Sequence, residues 1–235
     1  MDFLNRHLWL KRTLMLLVIG VALAGMFSQR HALACEAVRF YGYQQLAPNI
    51  FASPGVENQE QVVSVIQDGK QRVASTFGPM IASPKIVVVA TKAEAASFGA
   101  NSTATAHYTP MGTCIILGPN GQNVDVAAHE LVHAEVGLRV GWLRHWLEIP
   151  VWFNEGVALM VDHREPFLID NIAISQEAID AVKTLKTGRA FFVGANTHQH
   201  YVAARMAVND LEPSLLYQQL ERIRNGERFE AVFEF

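Results

Sequence analysis

The chain has 235 residues, half of them hydrophobic, and a formal net charge of −3. That is enough apolar material for one sizeable core and too little basic charge for a nucleic-acid partner, and two cysteines are too few for a disulfide-stapled miniprotein. Asp2 against Arg6, Lys11, Arg12 and Arg30 gives the first 34 residues a net +3, so −6 remains on the rest.

The opening segment reads as a targeting sequence. Arg6, Lys11 and Arg12 precede an uncharged, mostly apolar run of 15 residues, Thr13 to Phe27, and Ala32-Leu33-Ala34 supplies small residues where a signal peptidase cuts. The run is shorter than the roughly 20 residues that span a bilayer, although Trp9 and Leu10 extend it if Lys11 and Arg12 snorkel. Residues 1–34 are therefore expected to be a signal peptide or an N-terminal membrane anchor, and the chain secreted, periplasmic or anchored with its body outside the cytoplasm. Lipidation at Cys35 is a third option, though Ala32 and Leu33 fit a lipobox poorly. Cys35 and Cys114 are a possible disulfide in an oxidising compartment.

Residues 36–53 show no regular pattern. Glu57 to Phe77 has the apolar spacing of an amphipathic helix, loosened or broken near Gly69. Ile86 to Ala90 is a β-branched run predicting a buried strand, followed by a short helix over Thr91–Phe98 that Gly99 ends. Asn101 to Thr113 is polar and Thr-rich. Cys114 to Leu117 predicts a second strand, either an edge open to an added peptide or a strand paired on both sides.

Asp125-Val-Ala-Ala-His129-Glu130-Leu-Val-His133 then contains HExxH. No Pro or Gly interrupts Val124 to Val136, the apolar residues repeat at helical spacing, Asn123 or Asp125 can cap the start, and Gly137 offers a stop. Residues four apart on a helix share a face, so His129 and His133 can aim at one ion while Glu130 stands beside it. This chain's own His and Glu frequencies give roughly a one in fifty chance of an accidental match, so the context has to carry the argument. That context is Pro150-Val-Trp152-Phe153-Asn154-Glu155-Gly156-Val-Ala, a second predicted helix opened by Pro150 and running towards Asp162, with 21 residues between His133 and Glu155. A four-coordinate catalytic zinc takes three protein ligands and leaves one position open, and Glu155 is the candidate for the third ligand.

The connector Leu138 to Ile149 holds Trp142 and Trp146 one turn apart. It reads as an amphipathic segment packing its tryptophans on the body, with a cleft wall or membrane-facing lip as the other reading. His145 and Glu148 in it are rival ligands by residue type. Farther on, Ile174–Leu185 reads as a helix, Phe191 and Phe192 as a loop, and His198–Val208 as a helix with Thr197 as a cap; the tail from Ser214 to Phe233 is a packing helix, a break at Gly226 and an apolar end. An oxyanion donor is expected from Tyr201, His198 or His200. Metal-bound histidines also need a second hydrogen-bond partner, for which Asp125 and Asp162 are candidates.

The pairing of HExxH with Trp-Phe-Asn-Glu-Gly-Val-Ala resembles the gluzincin metallopeptidases, in particular the compact MA-like or minigluzincin group, over Val124–Asp162 and more weakly over Tyr201–Phe233. The resemblance implies one Zn2+ per chain on His129, His133 and Glu155, Glu130 as the base, Tyr201 as a further catalytic residue, and a peptide or protein substrate. It also implies an α+β, mostly helical zincin-like domain over residues 36–235 with a small sheet before the HExxH helix. The position four residues after Glu155, an Asp in many larger members, is Leu159 here. A non-catalytic envelope protein that binds a partner through the same fold is the rival reading, and an enzyme acting on a cell-wall amide is a third.

Overall fold

The computed structural model describes residues 11–17, 20 and 30–235. The rest of the apolar leader lies outside the described residues. The body is α+β, with eleven helices of at least five residues among residues 30–235 and one five-stranded mixed sheet.

A short helix, α1 (Arg30–Glu36), leads into β1 (Gln44–Ala47) and β2 (Ile50–Ala52), an antiparallel pair turned by Asn49 at φ 63°. Helix α2 (Gln59–Phe77) precedes β3 (Lys85–Val88), and α3 (Lys92–Ser97) precedes the hairpin of β4 (Ala104–Thr109) and β5 (Gly112–Leu117). The strand order is β1-β2-β3-β5-β4, with β2, β3 and β5 parallel and the two outer strands antiparallel to their neighbours. Cys114–Leu117 is thus an inner strand, and the edge belongs to β4, inside the Thr-rich stretch that sequence left unassigned. The hidden strands β1 and β2 are four and three residues long, too short to show an alternation.

Helix α4 (Val124–Val140) carries HExxH and runs through the middle of the molecule. The Asn123 side chain accepts a hydrogen bond from Val126 N at 3.0 Å, satisfying a donor the first turn leaves free. β4 and β5 cover one side of it; α2, α6 (Val151–Ala158) and α10 (Leu216–Arg224) cover the others. Burial on all sides explains why its sequence is apolar almost all round.

Two glycines read in the sequence as interruptions are contact points instead. Gly69 lies inside an unbroken α2, where a Cβ would stand 3.1 Å from Ala128 N of α4, so its lack of a side chain lets the two helices touch. Gly137 does not end α4 either. The helix continues one more turn to Gly141, at φ 87°, while Gly137 makes room for the Tyr108 ring.

The far end of α4 is held by a buried charge cluster. Glu135 accepts from Ile81 N and Ala82 N at 2.6 Å each and from Arg139 Nε at 2.7 Å; Arg139 also reaches Pro79 O at 3.0 Å and lies 3.5 Å from the Tyr217 ring centroid. Every charge in the group has partners, the condition on which buried ions are tolerated.

Helix α5 (Trp142–Glu148) follows, then α6, then α7 (Gln176–Val182), α8 (Gly188–Phe192), α9 (Thr197–Ala207), α10 and α11 (Phe229–Phe233). Phe191 and Phe192, expected in a loop, close a short helix that Thr187 caps. Thr197 is the first residue of α9 rather than its cap, and its hydroxyl bonds Phe192 O and Gly194 O. The tail clamps α6: the Phe153 ring lies 4.4 Å from that of Phe233 and 4.9 Å from that of Phe229. Each fully buried aromatic of this kind contributes about 2–3 kcal/mol. On the opposite face of the sheet α1 is pinned by a Cys35–Cys114 disulfide, which leaves no thiol at Cys35 for a lipid.

Candidate metal centre

α4 and α6 meet where HExxH faces the Trp-Phe-Asn-Glu helix. The geometry follows from two local facts. His129 and His133 are one turn apart on α4, and α6 is held against α4 by Trp152 and Phe153, buried on the side away from the cleft in the aromatic cluster of the tail. Glu155 is thereby directed at the two imidazoles: His129 Nε2 lies 3.4 Å from one carboxylate oxygen and His133 Nε2 lies 3.6 Å from the other. One ligand atom from each of the three falls within 4.8 Å of the others, and all three residues are buried. This group can hold a metal ion.

The electrostatics point the same way. Burial alone would raise the Glu155 pKa, yet the two histidines beside it hold it down at about 2. Burial likewise opposes charge on His133, and the Glu155 carboxylate overrides it, raising the His133 pKa to about 9. The site therefore favours positive charge between these side chains, which a divalent cation supplies.

Glu130 stands on the same helix, with Oε2 buried and lacking any hydrogen-bond partner. Burial, seconded by Glu155, raises its pKa above the ordinary carboxylate value, against the opposing pull of His133, His129 and Arg164. A buried carboxylate with an unused oxygen in a cleft is poised to take a proton.

Around this three-residue group, the structure separates the two acids that sequence left as alternatives. Asp162, fully buried, places Oδ2 3.7 Å from His129 Nδ1. Asp125 turns away, pairing with Arg72 and accepting from His163 N at 3.1 Å. Asp162 in turn is gripped by Arg164, whose Nε lies 2.8 Å and 3.0 Å from its two oxygens. Behind His133, Asn154 donates to the Tyr108 hydroxyl at 3.1 Å, and the Tyr108 ring packs 4.2 Å from that of His145. His145 and Glu148 both stay outside the ligand group; Glu148 accepts from Phe229 N at 3.5 Å.

A cleft of about 790 Å³ opens over the centre, floored by His129, Glu130, His133 and Glu155 and walled by Thr105 and Ala106 of β4. Tyr201 and His198 of α9 line it, whereas His200 bonds Phe191 O at 2.7 Å outside it. Burial, then the Glu155 and Glu130 charges, push the Tyr201 hydroxyl far above its usual pKa, so it stays a proton-bearing donor. Arg164 also lines the cleft, a residue the sequence did not single out. Its only signal there was its place two residues after Asp162.

Gly156 fixes the approach of α9: a Cβ there would lie 2.4 Å from Ala204 O. The glycine after Glu155 is thus what lets α9 and its tyrosine close over α6. In comparisons with known proteins, no family model, no curated protein and no solved structure matches this chain.

Proposed function

We propose that this protein is a zinc-dependent peptide hydrolase acting outside the cytoplasm. The observation that carries the reading is the convergence of His129, His133 and Glu155 with a buried, unpartnered Glu130 carboxylate beside them. Two nitrogens and one carboxylate, with a cleft on the fourth side, suit a catalytic zinc better than a closed structural site. The orphaned Nδ1 atoms of His129 and His133 fit as well, since both ring edges opposite the centre stay available for second partners, Asp162 being near the first.

When bound, zinc polarises a carbonyl and lowers the pKa of a coordinated water towards about 7. Glu130 takes the proton from the attacking water and returns it to the leaving amine, a role that its raised pKa favours. Tyr201 donates a hydrogen bond to the developing oxyanion from the opposite wall. Asp162, steadied by Arg164, orients the His129 ring. An extended peptide reaches the centre by adding to β4, whose outer edge has no neighbour strand among the described residues. A zincin-like domain is the fold this reading assigns to residues 36–235.

A module that only binds a partner has no use for Glu130 beside the ion. The discriminating experiment is peptide-library cleavage by the zinc-loaded protein and its Glu130→Gln variant. The expected result is cleavage by the parent and a loss of about 10²–10⁴-fold in the variant, with zinc retained. Equal rates in the two proteins would remove Glu130 from the chemistry.

A further inference from the structure

α5 is built inside out. Its sequence is Trp-Leu-Arg-His-Trp-Leu-Glu, and none of its seven residues is buried. The apolar ones face solvent: Trp142 is 41% exposed, Leu143 55%, Trp146 76% and Leu147 61%. The polar ones turn to the protein, His145 against Tyr108 and Glu148 towards Phe229 N. Trp146 therefore does not pack on the body as the spacing of the two tryptophans suggests, and Trp142 does so only in part. Leu138 and Met111, also exposed, extend the ridge across the end of α4 to the tip of the β4–β5 hairpin. A contiguous apolar ridge of this kind on a water-facing helix marks an interaction surface.

The chain itself indicates what covers it. The apolar leader joins the body at α1, and His31 and Ala32 of α1 line the same groove as Trp142, Leu143 and Trp146. The Cys35–Cys114 disulfide fixes α1 there, so the helix that follows the apolar leader in sequence lies beside the ridge. Leu14 to Leu17 of that leader are themselves exposed instead of covering it. Tryptophans flanked by leucines suit the interface of a bilayer, rings at headgroup level and leucines below them. Basic residues border the ridge on both sides: Arg224 in the recess beside Leu138, and in the groove Lys186, whose ammonium is shared with Glu230 at 3.2 Å in an exposed pair that leaves it open to anionic lipid.

We propose that the α5 ridge, Trp142, Leu143, Trp146 and Leu147, docks on a lipid bilayer on the side of the body where α1 lies. One consequence rests on the hydrolase reading. The groove and the cleft share Ala106, Tyr108, His145 and Val151 as a common wall, so the cleft lies directly beside the docked surface. The substrate class that follows is a peptide segment held close to a membrane.

The test uses the full chain carrying Trp9→Phe, reconstituted with vesicles of phosphatidylcholine and phosphatidylglycerol whose acyl chains are brominated. Trp142 and Trp146 then report the ridge, and Trp152, buried, reports the core. Docking predicts that more than half of the exposed-tryptophan emission is quenched. It also predicts that Trp142→Phe with Trp146→Phe leaves only unquenched Trp152 emission, and that Leu143→Ser with Leu147→Ser relieves the quenching in a chain that keeps its circular dichroism. Vesicle-bound protein with unquenched tryptophans would overturn the proposal, as would a dimer in sedimentation that shields them. Glu130→Gln leaves the quenching unchanged, so a failure of the hydrolase reading is seen separately. For the substrate class, a lipid-tethered peptide is expected to be cleaved at least tenfold faster than its free form, a preference lost in Leu143→Ser with Leu147→Ser while the free peptide is cleaved as before. Equal rates on tethered and free peptide would refute that class.

Discussion

Gly156→Ala isolates the packing that brings the two halves of the cleft together. Gly156 sits inside α6, where alanine ordinarily gains about 1 kcal/mol over glycine through helix propensity. Here the added methyl would lie 2.4 Å from Ala204 O, 3.0 Å from Ala204 C and 3.0 Å from Val208 Cγ1. The first two are backbone atoms of α9, so no rotamer change relieves them, and α9 has to recede by about 1 Å to restore an ordinary contact. Overpacking of this kind costs about 1–3 kcal/mol, and a collision with a carbonyl belongs at the upper end. Subtracting the propensity gain leaves a net loss of about 2 kcal/mol, or about 4–8 °C in Tm for a domain of this size. Scanning calorimetry measures it. Adding Val208→Ala should not rescue the variant, because the carbonyl contact persists and Val208 is itself fully buried. A Tm equal to or above that of the parent would show that propensity alone governs the position and would refute the close-crossing account.

Other predictions concern the surroundings of the centre. Asp162→Asn should weaken metal affinity about 10–100-fold in chelator competition at fixed pH, whereas Asp125→Asn should leave affinity unchanged; the reverse pattern would exchange their roles. Acid should destabilise the fold through His145, whose pKa burial and the neighbouring His133 lower to about 4. The unfolded chain then takes up this proton first, so stability is intact above about pH 6.5 and falls as the pH drops towards 4, by about 2 kcal/mol at pH 5 from this group. Urea unfolding at pH 7 and pH 5 reads the difference, and His145→Asn should flatten it; an unchanged slope would mean that His145 is not held neutral by the fold.

The grouping of His129, His133 and Glu155 was legible because it is written in local rules: one helical turn separates His129 from His133, and Pro150 precedes the helix that carries Glu155. The cap at Asn123, one of the two residues the sequence offers, was readable for the same reason, its side chain accepting from the first turn as its residue type suggests. What stayed hidden depended on contacts between distant segments. Gly69 and Gly137 looked like breaks because a sequence does not show that another helix or a tyrosine ring presses on them. β4 was obscured by its polarity, the signature of a half-exposed edge strand that walls the cleft. That Asp162 rather than Asp125 lies beside His129 depends on Arg164 and Arg72, two residues after the first and 53 before the second. The inverted burial of α5 defeated the assumption that tryptophans at helical spacing face inward.

The centre itself is tested most directly by zinc content. The purified protein, prepared without chelator, should carry about one zinc per chain, and its Glu155→Ala variant, folded by circular dichroism, much less. A folded parent without zinc, or a variant that binds as much as the parent, would contradict the three-ligand centre on which the functional account stands.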